Sequence, residues 1–398
     1  MGTFKKFNFF CIIIVVAACI IPVIFFLINM LNAQKSVEVS FSKKKLYRPS
    51  ETTITFLSVY NKKTSNVSVD YDTNYSNFIS ISNFNENEMR WTINYNNAVA
   101  ESTNIIFNVI VENQNFQQTL TLQNNITISD EEVYDYIYDR TFSIGSFANF
   151  GWTKGTGWIL NKTDSNEKYE YWLATNWHVK CGFDSLNGTK KYSFNRGTDG
   201  VKEYYSFSNF IWEQETNFMK NNNPLNAIDF FVAKVNFGDL QPSETKDKLD
   251  FLNVCYEQNS NINLFEQIDD LSTNLGDEYI CGYPSANYNN KVAHWEEHKL
   301  NERQIFSDQS EVTHWINDSN SILDASLQYV FQPNYPNWWL SGGASGSMVV
   351  ALNNEKTLIY IRAIYWGLFE DTISRTFFST SILWSSYNGG YNYIANYL

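Results

Sequence analysis

Between residues 36 and 124 apolar and polar side chains alternate with period two in seven short stretches. These are Val37-Val39-Phe41, Ile54-Phe56, Val67-Val69-Tyr71, Ile79-Ile81, Trp91-Ile93-Tyr95, Ile105-Phe107-Val109-Val111 and Leu120-Leu122. Successive residues of a strand point to opposite faces, so this period predicts half-buried β-strands. Polar breaks such as Asn61-Lys62-Lys63 and Asn83-Phe84-Asn85 predict the turns. Seven strands in about ninety residues is the size of an immunoglobulin-like β-sandwich. Nothing in the segment suggests chemistry; the expected role is a spacer, with a partner-binding module as the alternative.

The period changes at Ser129-Asp130-Glu131-Glu132. A serine with a glutamate three residues later is a capping-box pattern, which predicts a short amphipathic helix to about Arg140 and a domain boundary there. Beyond it, short apolar stretches broken by Gly and Asn run to the last residue. Those roughly 260 residues suit one large β-barrel or two small ones. The expected fold is mainly β, divided into 1–35, 36–127 and 128–398.

Residues 9–28 form an apolar run of 20 without a charge, preceded by Lys5 and Lys6. That length crosses a hydrocarbon core of about 30 Å, so a transmembrane helix is expected. The lysines place its start in the cytoplasm and everything after Asn32 outside, which makes the chain a single-pass protein of the cell membrane with an extracellular catalytic part. A cleaved signal peptide ending at Asn32-Ala33 and a lipid-attachment box at Val16-Ala17-Ala18-Cys19 are the alternatives; the run continues apolar past Cys19, against a lipid box.

With 29 basic and 42 acidic residues the net charge is -13, which repels phosphate backbones and excludes nucleic acid as an expected partner. Cys11 and Cys19 fall in the apolar run. Cys181, Cys255 and Cys281 remain, so at most one disulfide can form among them and the fold must rest on its cores.

Three segments carry candidate chemistry. Gly155-Thr156-Gly157-Trp158-Ile159-Leu160 and Tyr171-Trp172-Leu173-Ala174-Thr175-Asn176-Trp177-His178 read as a hairpin with His178 just past its second strand. Ala227-Ile228-Asp229-Phe230-Phe231-Val232 sets a carboxylate at the entrance of an apolar strand, where burial demands a strong donor such as a histidine Nδ1-H. Ser341-Gly342-Gly343-Ala344-Ser345-Gly346-Ser347 places a serine between glycines before a hydrophobic strand. Such a turn can expose the Ser345 hydroxyl and aim the N-H groups of Gly343 and Ser345 at one point, as an oxyanion hole requires. A serine nucleophile needs a base and the base an orienting acid, so His178, Asp229 and Ser345 are the expected triad. No cofactor or metal enters that chemistry.

From about residue 133 onward the chain resembles the chymotrypsin-like serine peptidases, and most closely the mycoplasma immunoglobulin protease family. The match lies in the three segments above, in Cys281-Gly282-Tyr283-Pro284, which is similar to a strand end of glutamyl-endopeptidase relatives, and in Tyr365-Trp366-Gly367, which is similar to the strand that pairs with bound substrate. The resemblance implies a double β-barrel and a protein substrate: host immunoglobulin, or another host protein, with presentation by a separate antibody-binding protein left open. Trp339 falls where relatives place a residue at the base of the specificity pocket, so Trp339, Tyr365, Trp366 and Gly367 are the expected substrate-binding residues. Ala344 stands where secreted relatives carry an aspartate that pairs with a newly cut amino terminus, which implies an oxyanion hole formed without activation cleavage.

Two other classes compete. His294-Trp295-Glu296-Glu297-His298 fits the inverted H-x-x-E-H pattern of zinc peptidases, with Glu370 as third ligand, provided residues 291–304 form a helix. A non-catalytic immunoglobulin-binding protein is the other.

Overall fold

The computed structural model describes residues 36–398 except 51–52, 197–199, 202, 215–229, 258–262, 265–275, 285–292, 301–302, 306–327, 332–342, 371–376, 384–396 and 398. The apolar run expected to span a membrane, and with it Cys11 and Cys19, lies outside the described residues. Among the described residues no helix is long and apolar enough to cross a membrane.

The amino-terminal unit holds β1 (Glu38–Phe41), β2 (Lys45–Leu46), β3 (Ile54–Tyr60), β4 (Val67–Tyr71), β5 (Ile79–Ile81), β6 (Arg90–Tyr95), β7 (Thr103–Val111) and β8 (Gln114–Leu122). They form two four-stranded sheets, β1-β3-β6-β5 and β2-β8-β7-β4. Most residues that alternate in the sequence meet between them, Val39, Phe41, Trp91 and Ile93 from one sheet and Ile105, Phe107, Val109, Leu120 and Leu122 from the other, while β3 contributes Leu57 and Val59 to this core and not the expected Ile54 and Phe56. The pattern missed β2, which at two residues is too short to show a period.

Helix α1 (Asp130–Arg140) follows, and the Ser129 side chain accepts a hydrogen bond from the Glu132 N-H at its start, as the capping pattern predicts. Next come β9 (Thr141–Ala148), β10 (Gly151–Lys162), β11 (Glu170–Thr175), α2 (Trp177–Leu186), β12 (Thr189–Ser193), β13 (Tyr205–Ser206), β14 (Asn209–Trp212), β15 (Phe231–Asn236) and α3 (Glu244–Glu257). Their seven strands make one sheet, β13-β12-β9-β10-β11-β15-β14. The last part adds β16 (Asn263–Leu264), β17 (Glu278–Gly282), β18 (Glu296–Leu300), β19 (Arg303–Ile305), β20 (Gln328–Phe331), β21 (Met348–Leu352), β22 (Ile359–Glu370) and β23 (Phe377–Leu383). These form a second sheet, β18-β17-β21-β22-β23-β20-β19, with β16 parallel to β22.

Alternation feeds two cores from the same strands. Ile159, Tyr171, Leu173, Ala233 and Val235 line a cluster closed by Val179 and Phe183 of α2 and Leu249 and Leu252 of α3. Trp158, Leu160, Ala174 and Val232 point the other way and join Tyr279, Cys281, Met348, Val350 and Ile364 of the second sheet. The chain is therefore mainly β, with several sheets, and a shared apolar layer fixes the large ones against each other. No disulfide joins Cys181, Cys255 and Cys281 among the described residues.

The amino-terminal unit packs against α1 and α3 through buried charge. Strand β3 is buried along its whole length because its second face meets α3. Ser58 and the Tyr60 hydroxyl donate to Asp247, Arg90 pairs with Asp247 at 2.6 Å and with Asp250 at 2.9 Å, and Lys168 and Lys246 also reach Asp250. On α1, Lys43 pairs with Asp139, Arg48 with Glu132, and Tyr47 donates to Asp135. Removing one member of a buried pair leaves the other desolvated, so Asp247→Ala is expected to lower unfolding free energy by about 3 kcal/mol. A urea titration of the full chain reads this as a fall in midpoint without change in slope.

Burial pushes the Asp250 carboxyl up, but Lys168, Lys246 and Arg90 overcome it and hold its pKa down to about 2. A depressed carboxyl stabilises the fold above its unfolded pKa near 4, and that contribution is lost as pH falls through about 2. Burial pushes the neighbouring Asp247 up against the opposing pull of Arg90, Ser58 and Tyr60. Urea midpoints should therefore fall between pH 4 and 2 by the equivalent of about 2 kcal/mol, and Asp250→Asn should flatten the fall.

Candidate active site

Strands β10 and β11 form the expected hairpin, in register from Trp158↔Ala174 to Lys162↔Tyr171. Asn176 then turns the chain into α2, so His178 stands exposed in the first turn of a helix and not on a bare strand end. Gly155 of β10 explains why that helix lies so close. A Cβ there would come within 2.8 Å of a Val179 methyl and 3.4 Å of the Ser345 carbonyl oxygen. The residue after His178 and the backbone of Ser345 therefore border one point, open only because glycine occupies it.

The serine turn is built from its own backbone. The Ala344 carbonyl accepts from the Ser347 N-H at 2.9 Å and from the Ser347 hydroxyl at 2.5 Å, with Ser345 and Gly346 between. Gly346 has φ +93° and Gly343 φ +104°, backbone that side chains other than hydrogen rarely adopt. Three contacts seat the turn on β10: the Thr156 N-H donates to the Ser345 carbonyl at 2.8 Å, the Thr156 hydroxyl donates to the Gly343 carbonyl at 2.8 Å, and the same hydroxyl accepts from the Tyr283 N-H at 3.0 Å. Thr175, three residues before His178, donates to the Thr156 carbonyl at 2.8 Å. Gly346 leaves no room for a Cβ there, the Thr156 carbonyl lying 2.1 Å and the Thr175 hydroxyl 2.5 Å from the position it would take.

Thr156 is thus the hub that joins the histidine and serine segments, and Thr175, Ser347, Gly155 and Gly282 support it. None was singled out by motif. Gly155-Thr156-Gly157 was legible as part of the first hairpin strand, but a buried hydroxyl gains meaning only from the carbonyls around it. Gly282 in the Cys281-Gly282-Tyr283-Pro284 segment has a packing reason, because a Cβ would overlap the Ser347 hydroxyl.

Tyr365 is buried, and its backbone exchanges two hydrogen bonds with the turn: Gly346 N-H to the Tyr365 carbonyl at 3.0 Å and Tyr365 N-H to the Ser347 carbonyl at 2.9 Å. Trp366 is the extra residue of a bulge, since Tyr365 pairs with Ser381 and Gly367 with Thr380. Strand β21 begins at Met348 opposite Ile364, so from Trp366 onward no described residue of β21 flanks β22. Asp229 and Trp339 lie outside the described residues. The strand that follows Asp229 is placed: Phe231 is directly opposite Thr175 in the β11–β15 register.

The zinc reading loses its premise. Glu296–Leu300 is a strand, not a helix, paired with β17 from Gly282↔Glu296 to Glu278↔Leu300. Four residues of extended chain span about 13 Å, whereas two histidines sharing one ion must approach within a few ångströms. His298 instead contacts Glu296 of its own strand at 3.2 Å. The strand forms because β17, buried on both faces, needs a hydrogen-bonding neighbour on its open side. At Cys281 and Cys255 thiol chemistry also lacks support, because burial pushes both thiols up and away from the thiolate form.

Residues 131–196, from α1 past β12 and including His178, match the mycoplasma immunoglobulin protease family. A protein of Mycoplasma capricolum subsp. capricolum described as an uncharacterized lipoprotein is 39% identical over 85 residues, which is 19% of this chain and 13% of that protein's length. Among solved structures the chain is similar to tobacco vein mottling virus protease, with TM-score 0.31 and 9% identity over 64% of this chain and 82% of that one. The segment that carries His178 is thus similar to the mycoplasma immunoglobulin protease family, over about a sixth of the chain.

Proposed function

We propose that this protein is a surface-held serine endopeptidase with His178, Asp229 and Ser345 as its triad, on a chymotrypsin-like double barrel preceded by an immunoglobulin-like sandwich. One observation carries the reading: the Ser345 turn is bonded to Thr156 at the place where the helix bearing His178 packs on Gly155. His178 takes the Ser345 proton as the oxygen attacks a peptide carbonyl, and returns it to the leaving amine; a water then repeats the cycle on the acyl-enzyme. Asp229 accepts from the imidazole Nδ1-H and fixes its tautomer. The N-H groups of Gly343 and Ser345 receive the developing oxyanion, each worth about 3 kcal/mol of barrier.

Ala344 is buried and carries no charge, so the turn is held by its own bonds and by Thr156, which supports an oxyanion hole formed without activation cleavage. Strand β22 offers its edge beyond Tyr365 to the substrate backbone. The family name supports an immunoglobulin substrate, and the relative's description as a lipoprotein supports a position at the outer membrane surface. Residues 9–28 are the proposed anchor.

Incubating the full chain with intact immunoglobulin and a control protein, and reading fragments by mass, tests the proposal. A serine-directed fluorophosphonate should stop cleavage and label Ser345, and a chelator should change nothing. Antibody bound but left whole by the wild type would favour a binding protein; cleavage surviving Ser345→Ala would remove the serine mechanism.

A further inference from the structure

The β9–β10 hairpin extends past the site and carries an aromatic and cationic face that the proposed chemistry does not use. The register pairs Trp152 with Phe147 and Lys154 with Gly145, and β12 adds Lys191 opposite Gly145. By strand alternation Trp152, Lys154, Phe147 and Lys191 share one face, while Thr153 and Gly155 turn to α2 on the other. Tyr204 completes the face, its ring 4.9 Å from Phe147, with the Lys154 amine 4.5 Å from the Trp152 ring and 5.0 Å from Tyr204. The Lys191 amine lies 5.5 Å from the Phe147 ring. Phe150 at the tip is 80% exposed and Trp152 45%. Gly145 keeps the centre open, since a Cβ there would strike the Phe147 ring at 2.6 Å.

Thr156 is the next residue but one on this same face, and its hydroxyl bonds the Gly343 carbonyl. The face therefore runs into the serine turn, over about 13 Å of strand from Trp152 to Thr156. Exposed aromatic side chains backed by cations are what interfaces use as anchors, and two lysines here run against a net charge of -13. Glu203, which accepts from the Tyr205 hydroxyl at 2.9 Å, is the acidic residue beside Tyr204.

We propose that this face is an exosite that docks a segment of the polypeptide substrate rich in acidic and aromatic side chains, apart from the residues flanking the scissile bond. The carboxylates would meet Lys154 and Lys191, and the rings would stack on Trp152 and Phe150. This rests on the peptidase reading, and its test is arranged to fail separately.

Binding is measured on the full chain carrying Ser345→Ala, by fluorescence anisotropy of two labelled 12-residue probes. One is built from Asp, Glu and Phe, and the other has Lys in place of each acid. The acidic probe should bind at least tenfold more tightly, although the overall charge of the chain favours the basic one. Lys154→Glu with Lys191→Glu should reverse that preference, and Phe150→Ala with Trp152→Ala should weaken the acidic probe at least tenfold. With Ser345 restored, both double variants should label with fluorophosphonate at the wild-type rate. Equal binding of the two probes, or acidic binding that survives both double variants, overturns the exosite. Loss of labelling in the charge-reversed variant overturns it too, since the hairpin would then support the catalytic turn. Probe binding as expected by a wild type whose Ser345 never labels overturns the peptidase reading instead and leaves a binding surface.

Discussion

Ser345→Ala is expected to lower kcat for peptide-bond hydrolysis by about a millionfold while moving the melting temperature by only a few degrees. The nucleophile and its base act as one unit, so deleting either removes nearly all that the pair contributes; His178→Ala should match it, and the double variant should be no slower. Because Ser345 meets β10 through its backbone carbonyl, the turn should keep its shape when the hydroxyl is lost. Single-turnover fragment analysis gives the rate, and thermal unfolding of the same preparations gives the control. Residual cleavage within a hundredfold of wild type would mean that the reacting oxygen belongs to another residue.

Gly346→Ala should be nearly as damaging to activity and far worse for stability. The new methyl would sit 2.1 Å from the Thr156 carbonyl, a backbone atom that also holds the Thr175 hydroxyl and cannot swing aside. Gly346 also has φ +93°, where a Cβ adds strain of its own. Overpacking and left-handed strain together come to about 2–5 kcal/mol. Relief requires the turn to lift off β10, and a displacement of roughly 1 Å in a catalytic group can lower rate about a hundredfold. Gly151→Ala makes the comparison, because a Cβ there meets only a Leu186 methyl at 3.8 Å. It should unfold within about 1 kcal/mol of wild type and label with fluorophosphonate at the same rate, whereas Gly346→Ala should fail both measurements.

Periodicity alone located most strands of the amino-terminal unit, since Trp91, Ile93, Phe107 and Val109 bury where the alternation says they must, whereas on β3 Leu57 and Val59 join the core in place of the expected Ile54 and Phe56. The Ser129 cap, a contact over three residues, was equally local, and so was the glycine-flanked serine turn, because left-handed backbone at positions 343 and 346 selects for glycine regardless of what packs nearby. What needed the tertiary structure were relations between distant residues. The His294–His298 segment has a spacing that suits a helix, but pairing with β17 made it a strand, since an inter-strand ladder supplies backbone hydrogen bonds that no local pattern announces. Thr156 reads as an ordinary strand threonine until the Gly343 carbonyl and the Tyr283 N-H, more than a hundred residues away, converge on its hydroxyl. The second buried face of β3 was likewise hidden, because its partner, Asp247, is charged and a charge reads as surface until Arg90, Ser58 and Tyr60 are found around it. Local sequence determines which conformations a segment can hold; only the folded chain decides which polar groups face each other, because that depends on atoms the segment does not contain.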